Sequence, residues 1–429
     1  MRLIVQTWWP LVASTLLDAI ETPVQLAVLA RLSQSEINLA AYSGVVRTLA
    51  ITIAAPASFL LPAAIALGRG QEARRKLRCF SAWLGGIATA VHALVAFTPL
   101  YDLVVGRWIG VPAEIIAPAR LGMMLMTPWA WIVACRSLNQ GLLIRSGQAR
   151  DVSSGTLLRL GVGGVALWGG CWLRGVSGIL VVVAAALIGA AAQVAFLVWR
   201  VQRAQKAERD ETTAAPLTWR ALLAFYLPLA LTELISVPVY PLRSAALSRM
   251  PFPLDSLAVY SVVYNIASIL ASAGRAYHDV VVALLSGPRA MRALSRFALG
   301  LAGALTLLLA IVAATPLAEV VLARVAALPA SLIDLARWGL WAALLYPGLL
   351  VFHSLVQGVL VRFRLTRGVP EGLVVYLLTS SLVLGLGVIW RRVAGLYVVW
   401  LSIQLGFLAE TIWMWRRGRV VWQESEVGR

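Results

Sequence analysis

Residues 98–145 read TPLYDLVVGRWIGVPAEIIAPARLGMMLMTPWAWIVACRSLNQGLLIR, and residues 315–362 read TPLAEVVLARVAALPASLIDLARWGLWAALLYPGLLVFHSLVQGVLVR. Laid over each other at an offset of 217, they need no gap. Thr98-Pro99-Leu100 meets Thr315-Pro316-Leu317, and Ser137-Leu138-x-Gln140-Gly141 meets Ser354-Leu355-x-Gln357-Gly358. The same register runs on through Gly178/Gly395 and Gly189/Gly406 to Arg200/Arg417. Upstream, residues 10–51 lie on 228–269 at an offset of 218. That match includes Pro10/Pro228, Pro23/Pro241, Arg31/Arg249 and Tyr42-Ser43/Tyr260-Ser261. A register held over so much of the chain marks an internal duplication.

Both copies are built from apolar runs. Of 429 residues, 60% are hydrophobic and only 13% charged. Many runs exceed the roughly 20 residues that carry a helix across a hydrocarbon core of about 30 Å. We read twelve spans: 8–31, 38–67, 79–104, 113–143, 152–173 and 177–200, then 221–248, 255–286, 293–323, 330–361, 370–390 and 394–415. This excludes a soluble enzyme, a nucleic-acid-binding module and a secreted disulfide scaffold. The net charge of +18 sits in short clusters between spans. Arg74, Arg75, Lys76 and Arg78 follow the second span, Arg200, Arg203 and Lys206 the sixth, and Arg416, Arg417 and Arg419 the twelfth. Basic residues favour cytoplasmic loops, so both termini are expected in the cytoplasm. Cys79, Cys135 and Cys171 have no metal-ligand spacing and imply no disulfide framework.

The expected fold is an all-α polytopic membrane protein of twelve transmembrane helices in two parallel six-helix repeats. Each repeat has an even number of spans, so both enter the membrane the same way round and are related by an axis along the membrane normal. Residues 1–208 form the expected N-lobe and 209–429 the C-lobe, with the polar stretch 201–220 as linker. Two parallel lobes around a central site are the architecture of alternating-access carriers. No Walker loop, HExxH, nucleophile elbow or Cys/His cluster is present, so the expectation is not an enzyme, with no cofactor.

Charges inside spans are expensive unless paired or wetted, which makes each a candidate site. Span 1 carries Asp18, Glu21 and Gln25 on one helical face. Two readings fit: a cation-coupling or proton site, or an ion pair with Arg47 of span 2. Span 7 carries Glu233, Ser236, Tyr240 and Arg243. Span 8 carries Asn265, Ser268, Ser272 and Arg275, then His278 and Asp279. Polar stripes on spans 1, 2, 7 and 8 predict a shared water-filled cavity. Arg guanidinium suits carboxylate or phosphate. Arg47, Arg243, Arg275, Asn265, Tyr240 and His278 are therefore the candidate substrate contacts, and Asp18, Glu21 and Glu233 the candidate ion-coupling residues. His92 and His353 are either proton carriers or packing residues. Arg120/Arg337 read as structural pairing residues. Matched Pro23 and Pro241 read as hinges or static bends.

Family resemblance enters at particular residues. The two-repeat, twelve-span plan, with Leu39-Ala40-Ala41-Tyr42 and the Gln140-Gly141 and Gln357-Gly358 turns, resembles the MOP superfamily of MATE exporters and polysaccharide flippases. Within it the chain resembles the progressive ankylosis (ANK) family. Trp9-Pro10-Leu11, Leu227-Pro228-Leu229-Ala230-Leu231, the run Gly86 to Ala96 around Val91-His92-Ala93, and Gly406-Phe407-x-x-Glu410-Thr411 carry this. The span 7 pattern departs from that family, and the charged tail of its vertebrate members is missing. The resemblance implies export of small organic or phosphate anions such as citrate, dicarboxylates, nucleotides or pyrophosphate. The expected partners are an anionic small-molecule substrate, the lipid bilayer and a coupling H⁺ or Na⁺, with no nucleic acid. The expected protein is a monomer, multi-pass in the plasma (inner) membrane. The competing expectations are a MATE-like H⁺/Na⁺-coupled drug antiporter, a lipid-linked saccharide flippase, and a non-transporting scaffold.

Overall fold

The computed structural model describes residues 2–29, 31–32, 35–109, 113–172, 176–207, 217–236, 239–325 and 328–419. Every regular element in them is helical. The chain divides into two compact units, Trp9–Leu223 and Met1–Trp8 with Ala224–Arg429. The first holds most of α1 (Arg2–Leu29), then α2 (Ser35–Ala40), α3 (Arg47–Ser58), α4 (Leu60–Leu67), α5 (Gln71–Phe97), α6 (Ala113–Leu125), α7 (Trp129–Arg145), α8 (Ala149–Cys171) and α9 (Gly178–Ala207). The second holds most of α10 (Trp219–Ser236), then α11 (Val239–Leu247), α12 (Pro253–Leu284), α13 (Pro288–Ala314), α14 (Leu317–Glu319), α15 (Ala330–Ala342), α16 (Tyr346–Arg362), α17 (Gly368–Trp390) and α18 (Gly395–Arg417). Each segment read as a span is helical over most of its described length. Among the described residues, eight helical runs are long and apolar enough to cross a membrane. They become nine if α6 and α7, bent 45° to each other, form one span.

The repeated sequence motifs become repeated local structure. Thr-Pro-Leu ends α5 and α13. The residue before a proline is driven out of the α region, and Thr98 (φ −107°, ψ 172°) and Thr315 (φ −99°, ψ 168°) are both extended. A π-helical stretch follows each stop, at Asp102–Ile109 and Val320–Val325. The matched arginines then reach back to the helix ends. Arg120 Nε donates to the Ala96 carbonyl at 3.3 Å and Arg337 Nε to the Ala313 carbonyl at 3.1 Å. Carbonyls in a last helical turn lack intrahelical donors, so these arginines serve structure. The matched prolines of spans 1 and 7 differ. α1 continues through Pro23, whereas α10 ends at Ser236 and α11 begins at Val239, just before Pro241.

The Gln-Gly pairs are not turns: both lie inside helices, α7 and α16. Their glycines mark places where helices nearly touch. A Cβ on Gly141 would come within 2.4 Å of the Leu61 carbonyl oxygen, and one on Gly358 within 2.8 Å of Val281 Cβ. The other matched pair behaves alike. A Cβ on Gly189 would meet the Arg159 carbonyl oxygen at 2.6 Å, and one on Gly406 the Tyr376 ring at 2.7 Å. Apolar surface gives helices no reason to associate within lipid, so small residues that permit close packing take over that role.

The outward faces complete the picture. On α17, Leu378, Leu382, Leu386 and Ile389 are exposed, while Tyr376, Ser380, Leu384 and Gly387 point inward and are buried. Trp83, Ile87 and Leu94 make a similar face on α5. Water does not tolerate apolar faces of this extent. The protein is an integral, multi-pass membrane protein. Valine at Gly189 or Gly406 should destabilise it by roughly 1–3 kcal/mol, read as a lower thermal midpoint in detergent. Alanine at Gly164, where no atom lies within 4 Å of the added Cβ, should leave the midpoint unchanged.

Candidate functional site

In the first unit, α1 and α8 build a charged cluster. Asp18 and Glu21 lie three residues apart, hence on one face of α1. The Arg159 side chain of α8, only 3% exposed, meets both. Its Nη2 donates to Asp18 Oδ1 and lies 2.8 Å from Glu21 Oε2. The chain of contacts continues along α1. Gln25 Nε2 donates to Glu21 Oε1 at 3.2 Å, and the Tyr42 hydroxyl donates to Gln25 Oε1 at 2.7 Å. Arg136 of α7 lies within electrostatic reach of Asp18, Glu21 and Arg159. The ion partner of the acids is therefore Arg159, not Arg47. Arg47 acts on Glu21 and Tyr42 only through space.

In the second unit, the position that matches Gln25 carries a guanidinium. Arg243 of α11 is buried at 5% exposure. It donates to the hydroxyls of Tyr260, at 3.2 Å, and Tyr376. The surroundings are aromatic. Tyr260, Tyr264, Tyr346 and Phe407 pack around Trp400 or its neighbours with centroids 5.6–6.3 Å apart. Tyr264 and Tyr376 both act on Arg243, and Tyr346 feels both Arg243 and Arg275. Behind Tyr376 lies a second polar pair. His353 Nε2 of α16 is 3.1 Å from Glu410 Oε1 of α18, and both residues are buried.

Repeat register places these two clusters on equivalent positions. Tyr42 holds Gln25 as Tyr260 holds Arg243, both pairs related by the offset of 218. At the offset of 217, Arg159 answers to Tyr376, Arg136 to His353 and Gln193 to Glu410. One unit pairs acids on its first helix with an arginine on its fifth span. The other pairs an arginine with a tyrosine. The remaining predicted contacts are looser. Arg275 and Asn265 are exposed on α12, with Arg275 donating to the Ser268 carbonyl at 3.0 Å. His278 Nδ1 lies 3.0 Å from Asp279 Oδ1. The side chains of Glu233 and Tyr240 lie outside the described set.

Sequence reading missed Arg159 and Tyr376. Arg159 had a plain signal: a lone charge in the middle of span 5, the kind of residue that must bring a partner. Tyr376 had none in its own helix and emerges only by carrying Arg159 across the repeat.

Comparison with solved structures gives the fold. A MOP superfamily transporter from Pyrococcus furiosus is similar at a TM-score of 0.73 and 17% identity, covering 97% of this chain and 95% of its own. That protein is described as having a binding pocket of reverse polarity that suggests a different function. A multidrug resistance MATE family transporter in an outward-facing conformation gives 0.71 and 17%, covering 98% and 95%. A MATE in the bent conformation gives 0.71 and 19%, covering 97% and 94%. No family model and no curated protein matches the sequence. The fold is thus that of the MATE and MOP transporters.

Removing both acids should strand Arg159. The double substitution Asp18→Asn with Glu21→Gln is expected to cost about 3–5 kcal/mol, because an uncompensated charge stays buried. Asp18→Asn alone should cost far less, since Asp18 is 43% exposed and Glu21 remains. Thermal unfolding in detergent measures both, and adding Arg159→Met to the double variant should restore much of the loss.

Proposed function

We propose that this protein is a secondary transporter that exports small organic or phosphate anions by alternating access, with Arg243 as the principal anion contact. One observation carries the reading. A guanidinium is buried among aromatic rings and held by two phenol hydroxyls, at the position where the other repeat has only Gln25. Guanidinium presents a planar fork of donors that matches carboxylate and phosphate. Arg275, within reach of Tyr346 alongside Arg243, adds a second cation to the same unit. Asn265, His278, Tyr240 and Arg47 are further proposed contacts, and Asp18, Glu21 and Glu233 the proposed ion-coupling residues. The fold supports transport; the arginine chemistry supports the anion. The likeness to the ANK family points the same way, toward citrate, dicarboxylates, nucleotides or pyrophosphate. We place the protein as a monomer in the plasma (inner) membrane, with twelve spans, a parallel repeat and both termini in the cytoplasm.

A MATE-like cation-coupled drug antiporter is the second reading, favoured by the acids on α1. Arg159 meets both acids, so a coupling cation would have to displace that guanidinium.

The test is efflux from proteoliposomes loaded with citrate, malate, ATP, pyrophosphate and a cationic dye, read by mass spectrometry. Anion release should fall at least about tenfold in Arg243→Ala, with Arg243→Lys recovering it only in part because Lys lacks the fork. Release of the dye alone would overturn the anion reading in favour of the antiporter.

A further inference from the structure

We infer that His353 and Glu410 form a proton-binding site whose protonation is coupled to anion binding at Arg243, so that anion and proton cross together. This rests on the anion reading above and names its coupling ion. The pair is buried: His353 is 9% exposed and Glu410 4%, with Nε2 and Oε1 3.1 Å apart. A proton bound by an imidazole facing a carboxylate changes the net charge of the pair by one. With no proton on the imidazole's second nitrogen or the carboxylate, the pair carries −1. With one proton bound, on either group, it carries 0. Which group holds that proton belongs to the pair, not to one residue.

Geometry connects the pair to Arg243 by a short route. The Phe407 ring packs edge-on against His353 at 5.2 Å and lies tilted against Tyr376 at 5.1 Å. Glu410 acts electrostatically on Tyr376. Tyr376 accepts a hydrogen bond from Arg243 through its hydroxyl. A negative pair therefore opposes an anion arriving at the guanidinium, and a neutral pair does not. The pair is buried, and buried charges are screened less than exposed ones, so the effect persists over several ångströms.

The groups facing the pair come from each neighbouring helix. α18 contributes Glu410 itself, α17 contributes Tyr376, and α11 contributes Arg243 through that tyrosine. On α16, Tyr346 also packs on Phe407. α12 meets α16 elsewhere, at Val351 against Gly274 and at Gly358 against Val281 and the His278 carbonyl; its Arg275 acts on Tyr346. α13 meets α16 at Gly348 through Thr306 and Ala302, neither of which titrates.

Duplication supplies the control. The equivalent residues in the first unit are Arg136 and Gln193. One is permanently charged and the other cannot ionise, so the first unit has no titratable pair at this place. Only the second, the unit that carries Arg243, has one.

Binding linkage is reciprocal: if a proton favours the anion, the anion favours the proton by the same factor, on the order of 5–150-fold for such couplings. The anion then leaves with a proton, driven by its own gradient. The experiment loads proteoliposomes with radiolabelled citrate or pyrophosphate and follows label together with a pH dye outside. In the wild type, each anion released should acidify the outer medium, and efflux should rise as internal pH falls. In Glu410→Gln the pair can no longer carry −1. Protons moved per anion should then drop at least about tenfold and the pH dependence flatten. His353→Gln, which leaves the carboxylate without its partner, serves if the first variant does not fold, and should displace the pH profile. A wild-type proton ratio and pH profile in both variants, or anion efflux without protons in the wild type, would overturn the coupling and leave the anion reading standing. Absence of any anion efflux from the wild type would overturn that reading as well.

Discussion

A charge within a hydrocarbon layer must bring its partner with it, and that constraint decides where the helices of this protein can go. Arg159 is almost without exposure, and it is tolerable in α8 only because α1 presents Asp18 and Glu21 to it. The pairing fixes the rotation of both helices. Gln25 and Tyr42 extend it to the π-helical stretch Ala41–Val46. Close glycine contacts set the distances: Gly189 lies against the very carbonyl of Arg159. Packing and electrostatics therefore specify the same arrangement, as they must where lipid offers no hydrophobic reward for association.

Duplication then made the scaffold available twice, and the two copies diverged in the charge they carry. The tyrosine is kept, as Tyr42 in the π-helical stretch and as Tyr260 within α12, and so is its reach to the residue seventeen positions earlier. What it reaches has changed from an amide to a guanidinium. Arg159 has become Tyr376, Arg136 has become His353, and Gln193 has become Glu410. Each exchange is the sort that a fixed backbone permits: the phenol accepts from Arg243, and the imidazole and the carboxylate lie 3.1 Å apart. The result is one unit in which two acids meet a buried arginine, and another whose arginine is surrounded by aromatic rings. Only in the second does a titratable pair lie behind the cation.

Much of this was legible in the sequence, for reasons that differ element by element. The repeat could be read because Thr-Pro-Leu, the Gln-Gly pairs and Gly189/Gly406 do steric work that tolerates few substitutes. Asp18, Glu21 and Arg243 could be read because charges in apolar runs are rare. Their partners could not. Arg47 and Arg159 are both single arginines within apolar spans, and only helix packing tells which one Asp18 and Glu21 meet. The Gln-Gly pairs were misread as turns because glycine signals both a chain reversal and a close helix crossing. His353 and Glu410, 57 residues apart, share no local pattern at all.

Equivalent positions in the two repeats hold an amide, Gln25, and a guanidinium, Arg243, and the guanidinium is the proposed anion contact. Equilibrium binding of radiolabelled citrate and pyrophosphate to the purified protein, by scintillation proximity, tests it without any assumption about direction or coupling. The account predicts saturable anion binding that is lost in Arg243→Gln and kept in Gln25→Ala. Binding that survives Arg243→Gln unchanged, or that disappears only with Gln25, would contradict it.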